Sequence, residues 1–544
     1  MKATFLLASL LMASVLGAQA PSVAGGFALD VVLNPVVTGR AFAFSPDGRL
    51  FYTEHSTGQI MVVTNPTTTP GAPTVFATVS GYVGPTSNDC GLHGIVFDPA
   101  FPASTSDPNN RYIYVAHTTG TAGAPQLVVK RFTENVAALG TALGGSETAV
   151  VPAIAMGSAT GTNLGGRLRF GPDGKLYVGV GDGGAALAIA GAAAQSTTSS
   201  LGKVLRYNSN GSVPVDNPVS LNPYWARGLR NPRGLAFNPS TNDLFATDNG
   251  NPPTGADELN VGVAAGNYGW DTTGTSGTQV NPAYNNPALV LPADFEPSGI
   301  AFHPSSGGSF PAAGYRAGCL YLGCENTAAS VTFPVVGAKA GAMVVRVVLS
   351  GGNERTAVGM WPLVTSFTTA VRDLAFGPDN HLYILTDTVL YRLRYTGNTS
   401  VNAPVAVAGV DQTVNEGAPV TLNGAGSSDA DAGDVLRYTW RQIGGSTVVS
   451  LTNATTSVAT FTAPSVPFTQ NFTFELLVED GNGGVASDVV LVTVNDVGGG
   501  GGGGDSDKEL LEAPGEGGCA AHLAGGALAL WLLPLALWRR RRRA

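Results

Sequence analysis

GLRNPRGLAFNPSTNDLFATDNGNPPTGADELNVGVAAGNYGW, residues 228–270, is the fullest copy of a phrase that recurs through the first 395 residues. The phrase is a small or apolar run ending in Phe, then Pro within one or two positions, a turn, and an alternating apolar strand. The other copies are AFAFSPDGRLFYTE from Ala41, GIVFDPAFP from Gly94, RLRFGPDGKLYVGVGD from Arg167, GIAFHPSSGG from Gly299 and LAFGPDNHLYILTD from Leu374. Their prolines, Pro46, Pro99, Pro172, Pro239, Pro304 and Pro378, stand 53 to 74 residues apart. Proline presets the first turn position while Asp and Gly tolerate the tight return, so each copy reads as strand, turn, strand. Short strands repeating at this period predict a six-bladed β-propeller, one blade per copy.

Composition agrees with an all-β chain. Its 544 residues include 73 Gly and 35 Pro, only 12% are charged, and helical periodicity is absent outside the two ends. The net charge is −9, and Lys2 and Arg539 to Arg543 put much of the basic charge at the termini, so the body is more acidic than the total. A nucleic acid or anionic lipid partner for the body is excluded on that ground. Four cysteines, Cys90, Cys319, Cys324 and Cys519, make no disulfide framework. Cys319 and Cys324 fall in one strand-like run, on opposite faces and roughly 17 Å apart if extended, too far to bond.

Residues 1–20 combine Lys2, an apolar core and the small-residue end Ala18-Gln19-Ala20, the pattern of a secretory signal. The propeller is expected over 25–395. Residues 402–495 then offer about seven short strands around Trp440, which predicts an immunoglobulin-like β-sandwich. In GSSDADAGDVLRYTW and FELLVEDGNGG this segment resembles PKD-type surface modules. Asp429, Asp431, Asp434 and Asp480 there are either calcium ligands or solvated turn residues. A Gly-rich acidic linker, 496–518, leads to a single hydrophobic helix at 519–538 and the Arg cluster at 539–544. Nineteen residues from Ala520 to Trp538 would span about 28 Å, close to the hydrocarbon thickness, with the arginines cytoplasmic. This ending resembles the C-terminal sorting tails of Gram-negative exported proteins; a plain single-pass anchor is the alternative. Either way the protein is expected at the cell envelope or surface, or released after tail processing.

Seven motifs in order point further: GLHGIVFDPAF (Gly91–Phe101), GGRLRFGPDGKLYVGVGDGG (Gly165–Gly184), LGKVLRYNSNGSVPVDNP (Leu201–Pro218), GLRNPRGLAF (Gly228–Phe237), DNGNPPTGADELN (Asp248–Asn260), GNYGW (Gly266–Trp270) and VRDLAFGPD (Val371–Asp379). Over residues 25–395 they resemble the glucose/sorbosone dehydrogenase family, soluble quinoprotein sugar dehydrogenases with six-bladed propellers. The resemblance implies pyrroloquinoline quinone and calcium as cofactors, an aldose sugar or similar alcohol as substrate, and an external electron acceptor. It implies cofactor contacts at Arg230, Asn231, Arg372 and Lys339, calcium on the carbonyls of Gly250 and Asn251, and a catalytic base at Asp98. Arginine suits a tricarboxylate quinone because its planar fork binds carboxylates bidentately. The family's glucose-oxidising members carry His at the position of Asp98. A free Asp is a weaker base than His by about 2.6 pKa units, so Asp98 would need burial to serve; otherwise it caps the Pro turn. The alternative is a non-catalytic surface propeller that binds glycans or proteins. Zinc spacings, HExxH, a Walker loop and GxSxG in a strand–helix setting are all absent.

Overall fold

The computed structural model describes residues 20–497, apart from 25, 86–88, 122, 158–160, 251–255, 275–282, 293–294, 305–309, 311–318, 334–336, 351–353, 397–401, 403, 432, 445–446 and 481–484. The expected signal segment, the hydrophobic helix at 519–538 and the Arg cluster therefore lie outside the described residues. Among those described, no helix is long and apolar enough to cross a membrane.

Six antiparallel sheets follow one another along the chain. Their innermost strands are Gly39–Phe44, Leu92–Phe97, Gly165–Phe170, Pro232–Phe237, Pro297–Phe302 and Val371–Phe376, so each phrase supplies the inner strand and the hairpin of one blade. Blade six is finished by the other end of the chain: Phe27–Leu33 pairs antiparallel with Leu390–Tyr395, Phe27 facing Tyr395. Ser22–Val23 likewise adds to the edge of blade five at Thr365 and Val364. The ring is thus closed by strand pairing between the two ends of the propeller segment, with partners up to 368 positions apart.

Packing confirms the count. Six apolar clusters each join two neighbouring blades, and a seventh fills the sandwich. In Leu50–Glu54, Leu50 and Tyr52 join the cluster shared with blade six while Phe51 joins the one shared with blade two. This corrects the expected alternation. The second strands, such as Leu176–Val180 and Leu382–Thr386, are buried on both faces because a blade has neighbours on both sides.

The hairpin turns sit together at one end of the strands. Ser45 and Arg49 close the first, with Gly48 at φ 87°; Gly171, Lys175 and Gly174 repeat it in blade three, and Gly377, His381 and Asn380 in blade six. The sandwich places Gln412–Asn415, Val485–Asn495, Gln470–Glu479 and Arg437–Gly444 in one sheet and Pro419–Asn423 with Val458–Thr462 in the other. Trp440 lies in its core. Cys319 and Cys324 are buried and form no disulfide with each other, as their spacing requires.

Candidate functional site

All six innermost strands slip register near their first residues, between Gly39 and Phe42, Leu92 and Ile95, Gly165 and Leu168, Pro232 and Gly234, Pro297 and Ile300, and Val371 and Asp373. A bulge re-aims the side chain it carries. Here the bulges carry Arg40, His93, Arg167, Arg233, Ser298 and Arg372, and several meet at the axis. Arg167 of blade three donates to the Arg372 carbonyl of blade six at 3.0 Å and pairs with Asp373 at 2.6 Å, which crosses the ring. A second set stands at the same end of the second strands: Glu54 and Asp248 are their last residues, Asp182, Glu325 and Asp387 follow theirs by one or two positions, and His117 faces Leu92 within Tyr112–Thr121.

The axial cluster is built from ion pairs. Asp89 accepts from Arg233 at 2.7 Å, from Arg40 at 3.3 Å and from the Asn163 backbone N–H at 2.7 Å. Glu325 joins Arg233 at 2.8 Å to Arg372 at 2.6 Å, and Arg372 also grips Asp387 at 2.7 Å. Burial alone would raise both carboxyls, but the guanidiniums of Arg233 and Arg40 hold Asp89, and those of Arg233 and Arg372 hold Glu325, well below the usual range. Burial, with Arg40 adding repulsion, pushes His55 down to about 4, and burial with His55 also takes His93 well below its ordinary value. Both imidazoles are therefore neutral at pH 7. Arg40, His93, Gly165, Arg167, Arg233 and Glu325 line a chamber of about 10 Å³, room for no more than one water.

A second group lies beside it at the same end of blades three and four. Asp182 accepts from Trp270 Nε1 at 3.1 Å, from Asn163 Nδ2 at 3.0 Å and from the Gly184 N–H at 2.9 Å. Glycine flanks it for steric reasons: a Cβ at 181 would lie 1.8 Å from the Asn163 carbonyl, and one at 183 would lie 1.7 Å from that of Met156. The GNYGW loop delivers Trp270, braced by Gln195 at the end of the helix Leu187–Gln195, which bonds Asn267 and the Trp270 carbonyl. Asp248 accepts the N–H groups of Arg230 and Asn231, fixing the RN pair. Burial raises the Asp182 carboxyl and pushes Asp248 up to about 7. Arg230 lays Nη1 on the carbonyls of Gly250 at 2.5 Å and Asn249 at 3.1 Å, with its guanidinium 5.7 Å from the Trp270 ring centre. The side-chain oxygens of Asn231 and Asn249 are buried without a hydrogen-bond partner among the described residues.

Not every perturbed group belongs here. Burial lowers Lys203 to about 7, but its ammonium donates to the Ala193, Ala194 and Leu201 carbonyls and so caps the helix C-terminus.

The expected residues separate on the structure. Arg230, Asn231 and Gly250 come together as above. Asn251 lies outside the described residues. Arg372 is on the same face but committed to the axial ion pairs. Lys339 is half-buried on the hairpin Ser330–Phe333 and Gly337–Ala340, which follows the site end of Cys319–Cys324. Asp98 is a correction. It follows Phe97 at the turn end of its strand, about 17 Å from His93 by strand rise. There it accepts from the Ala100 N–H at 2.9 Å and Tyr114 Oη at 3.0 Å. Those bonds make it a turn residue. The sequence reading missed Asp89, Asn163, Asp182, Asp248 and Glu325. Aligning the acid or imidazole at the site end of each second strand would have found most of them.

A family model described as Glucose / Sorbosone dehydrogenase matches residues 37–393. The chain belongs to the glucose/sorbosone dehydrogenase family. A PKD domain matches residues 408–494. An uncharacterized protein of Synechocystis is 28% identical over 66% of this chain and 84% of its own length. Quinoprotein glucose dehydrogenase B of Acinetobacter calcoaceticus is 32% identical over 45% of this chain, and an aldose sugar dehydrogenase of Escherichia coli is 29% identical over 42%. The matches span 52% and 58% of those two proteins. In fold, the soluble aldose sugar dehydrogenase of E. coli superposes with a TM-score of 0.54 at 23% identity, covering 68% of this chain and 99% of its own. The PQQ-bound aldose sugar dehydrogenase of Streptomyces coelicolor does so with 0.52 at 22%, covering 69% and 99%. Family membership makes the propeller an oxidoreductase domain of the dehydrogenase type. In the sandwich, the carboxylates of Asp429, Asp431 and Asp434 lie within 4.8 Å of one another, and Asp431 binds Asn402.

Proposed function

We propose that this protein oxidises an aldose sugar or a similar alcohol with pyrroloquinoline quinone and calcium, passing the electrons to an external acceptor. The observation that carries the reading is the oxygen-rich wall beneath Arg230. Two buried amide oxygens without hydrogen-bond partners among the described residues, on Asn231 and Asn249, adjoin the carbonyls of Asn249 and Gly250. An all-oxygen donor set of this kind suits a hard divalent cation. The residues present thus fit calcium, and Arg230 beside Trp270 fits the edge of an anionic ring system. The axial chamber is far too small for a quinone, which would lie above it against Arg230, Asn163 and Trp270. Bound there, quinone and calcium together would supply a hydride acceptor with its carbonyl polarised by a Lewis acid.

The chain's own part is to bind, orient and take a proton. Asp182 replaces Asp98 as the proton acceptor we assign. It is buried, burial raises its carboxyl, and beside the Gly184 N–H it is held by the Asn163 and Trp270 side chains at the end of the blades that carries Arg230, whereas Asp98 stands at the turn end. Asp248, bound by two backbone N–H groups, holds the loop and touches nothing that could react. The axial ion pairs form the rigid floor. Export to the cell envelope or surface belongs to the same proposal and rests on residues 1–20 and 519–543.

The test is to add calcium and pyrroloquinoline quinone to the purified chain, measure quinone uptake, and follow reduction of an artificial electron acceptor across a panel of aldoses. Saturable uptake with sugar-dependent reduction is expected. Absence of saturable uptake would end the quinoprotein reading.

A further inference from the structure

We propose that Arg230 competes with the divalent cation for the carbonyls of Asn249 and Gly250, so that metal and anionic ligand bind cooperatively by displacing one guanidinium. This rests on the calcium reading of the site and adds a moving part to it. Nη1 of Arg230 lies 2.5 Å from the Gly250 oxygen and 3.1 Å from that of Asn249. A positive group thereby sits on two consecutive main-chain oxygens, where an oxygen-seeking cation would bind. Calcium needs its oxygens at about 2.3–2.6 Å, so the metal and the guanidinium cannot share the Gly250 oxygen.

The loop is held and the arginine is not. The Gly250 N–H is fixed on Asp257 Oδ1 at 2.8 Å, and Asp257 also accepts the Glu296 N–H at 2.7 Å, so the 249–250 peptides resist turning away. The Asn249 N–H bonds the Asn231 carbonyl at 3.3 Å. The backbone of Arg230 is anchored by its own N–H on Asp248. Side-chain torsions are the freedom that remains. On the pair of carbonyls the guanidinium already lies 5.7 Å from the Trp270 ring centre and feels the Asp182 carboxyl; the other resting place is off the carbonyls, turned toward a bound ligand. A cation on the carbonyls sends the guanidinium to that second place, where it meets a carboxylate ligand. A carboxylate ligand bound there draws it off the carbonyls and frees them for the metal. Coupling of this kind is reciprocal by linkage.

Calcium binding is measured by titration calorimetry on the wild type and Arg230→Met, each with and without saturating pyrroloquinoline quinone. Without quinone, Arg230→Met is expected to bind calcium about tenfold more tightly, since loss of two charge-assisted bonds removes the competitor. With quinone, the wild type gains affinity by a larger factor than the variant. Equal or weaker calcium binding by folded Arg230→Met overturns the competition while leaving the quinoprotein reading in place; no calcium binding by either protein overturns both. Should Arg230→Met fail to fold, tryptophan emission of the wild type and Trp270→Phe is followed during calcium titration. A calcium-dependent change that is lost in Trp270→Phe supports displacement, and an identical response in both overturns it.

Discussion

Replacing Glu325 by Gln tests whether the axial charges hold the ring together. Glu325 is buried and accepts from Arg233 at 2.8 Å and Arg372 at 2.6 Å, and no neighbour can take its place because Asp89 already serves Arg40 and Arg233. The amide keeps the shape and one acceptor oxygen but removes the charge, leaving two guanidiniums short of compensation in a dry site. Breaking a buried pair from one side costs about 3–5 kcal/mol. A propeller of about 370 residues has an unfolding entropy near 0.8 kcal/mol/K, so that cost should lower its melting temperature by about 4–6 °C. The comparison variant is Asp243→Asn, which breaks the pair with Arg355, whose side chain is 45% exposed. An exposed pair contributes roughly 0–1 kcal/mol, so a shift near 1 °C or less is expected. Scanning calorimetry of the two variants beside the wild type reads both numbers, with the sandwich transition as an internal reference. If Glu325→Gln melts where the wild type does, or if Asp243→Asn costs as much, the axial pairs do not support the ring as argued.

Acid should act through the buried imidazoles. His55 has its folded value lowered to about 4 and titrates near 6.5 when unfolded, so the unfolded chain binds the extra proton between those limits. Its contribution is complete above pH 6.5 and is lost as pH falls toward 4; Asp248, raised to about 7, acts in the opposite sense. The difference between wild type and His55→Gln isolates the imidazole: in urea titrations from pH 7 to 4, the wild type should lose stability more steeply by up to about 1.4 kcal/mol per pH unit, and parallel curves would refute this. The two carboxylates Asp98 and Asp182 should also part company. Asp98→Asn should keep turnover within about twofold, because a turn residue can be replaced by its amide at little cost. Asp182→Asn should lose about 10²–10⁴ in kcat while still taking up quinone, and retained turnover would remove Asp182 from the chemistry.

The blade count was legible because each copy of the phrase ends in a hairpin with one geometry to satisfy, and Pro, Asp and Gly announce that geometry. Closure by Phe27–Leu33 was not, since strand pairing between partners up to 368 positions apart leaves no local signature. The site was half legible. GLRNPRG and DNGN marked Arg230, Asn231 and Gly250 because unusual polar residues break an apolar pattern there. Asp98 was named because the resemblance puts the catalytic position just before the blade-two proline, and its place at the turn end, bonded to Ala100 and Tyr114, separates it from Arg230 and Asp182. The functional residues lie one strand upstream of the turn, as Arg40 and His93 do, or one strand downstream, as Asp182 and Glu325 do. Only the register of the sheets reveals that the two sets share an end.

That arrangement has a physical reason. At the turn end the six copies can be alike, since every blade needs the same return. At the axis they cannot be alike. Two guanidiniums about 5 Å apart repel by roughly 3 kcal/mol even at an effective dielectric constant of 20, so a ring of identical arginines would not close. The chain places Arg40, Arg167, Arg233 and Arg372 at the bulges of four blades, and His93 and Ser298 at the other two. It balances the four with Asp89, Glu325, Asp373 and Asp387, which come from three different positions in the repeat. Regularity in the sequence therefore reports the scaffold, and departures from it report the floor of the site. Arg230, one step outside this balanced set and held by carbonyl oxygens with no carboxylate partner on its guanidinium among the described hydrogen bonds, is the cation of the site end that a ligand can recruit without opening the ring.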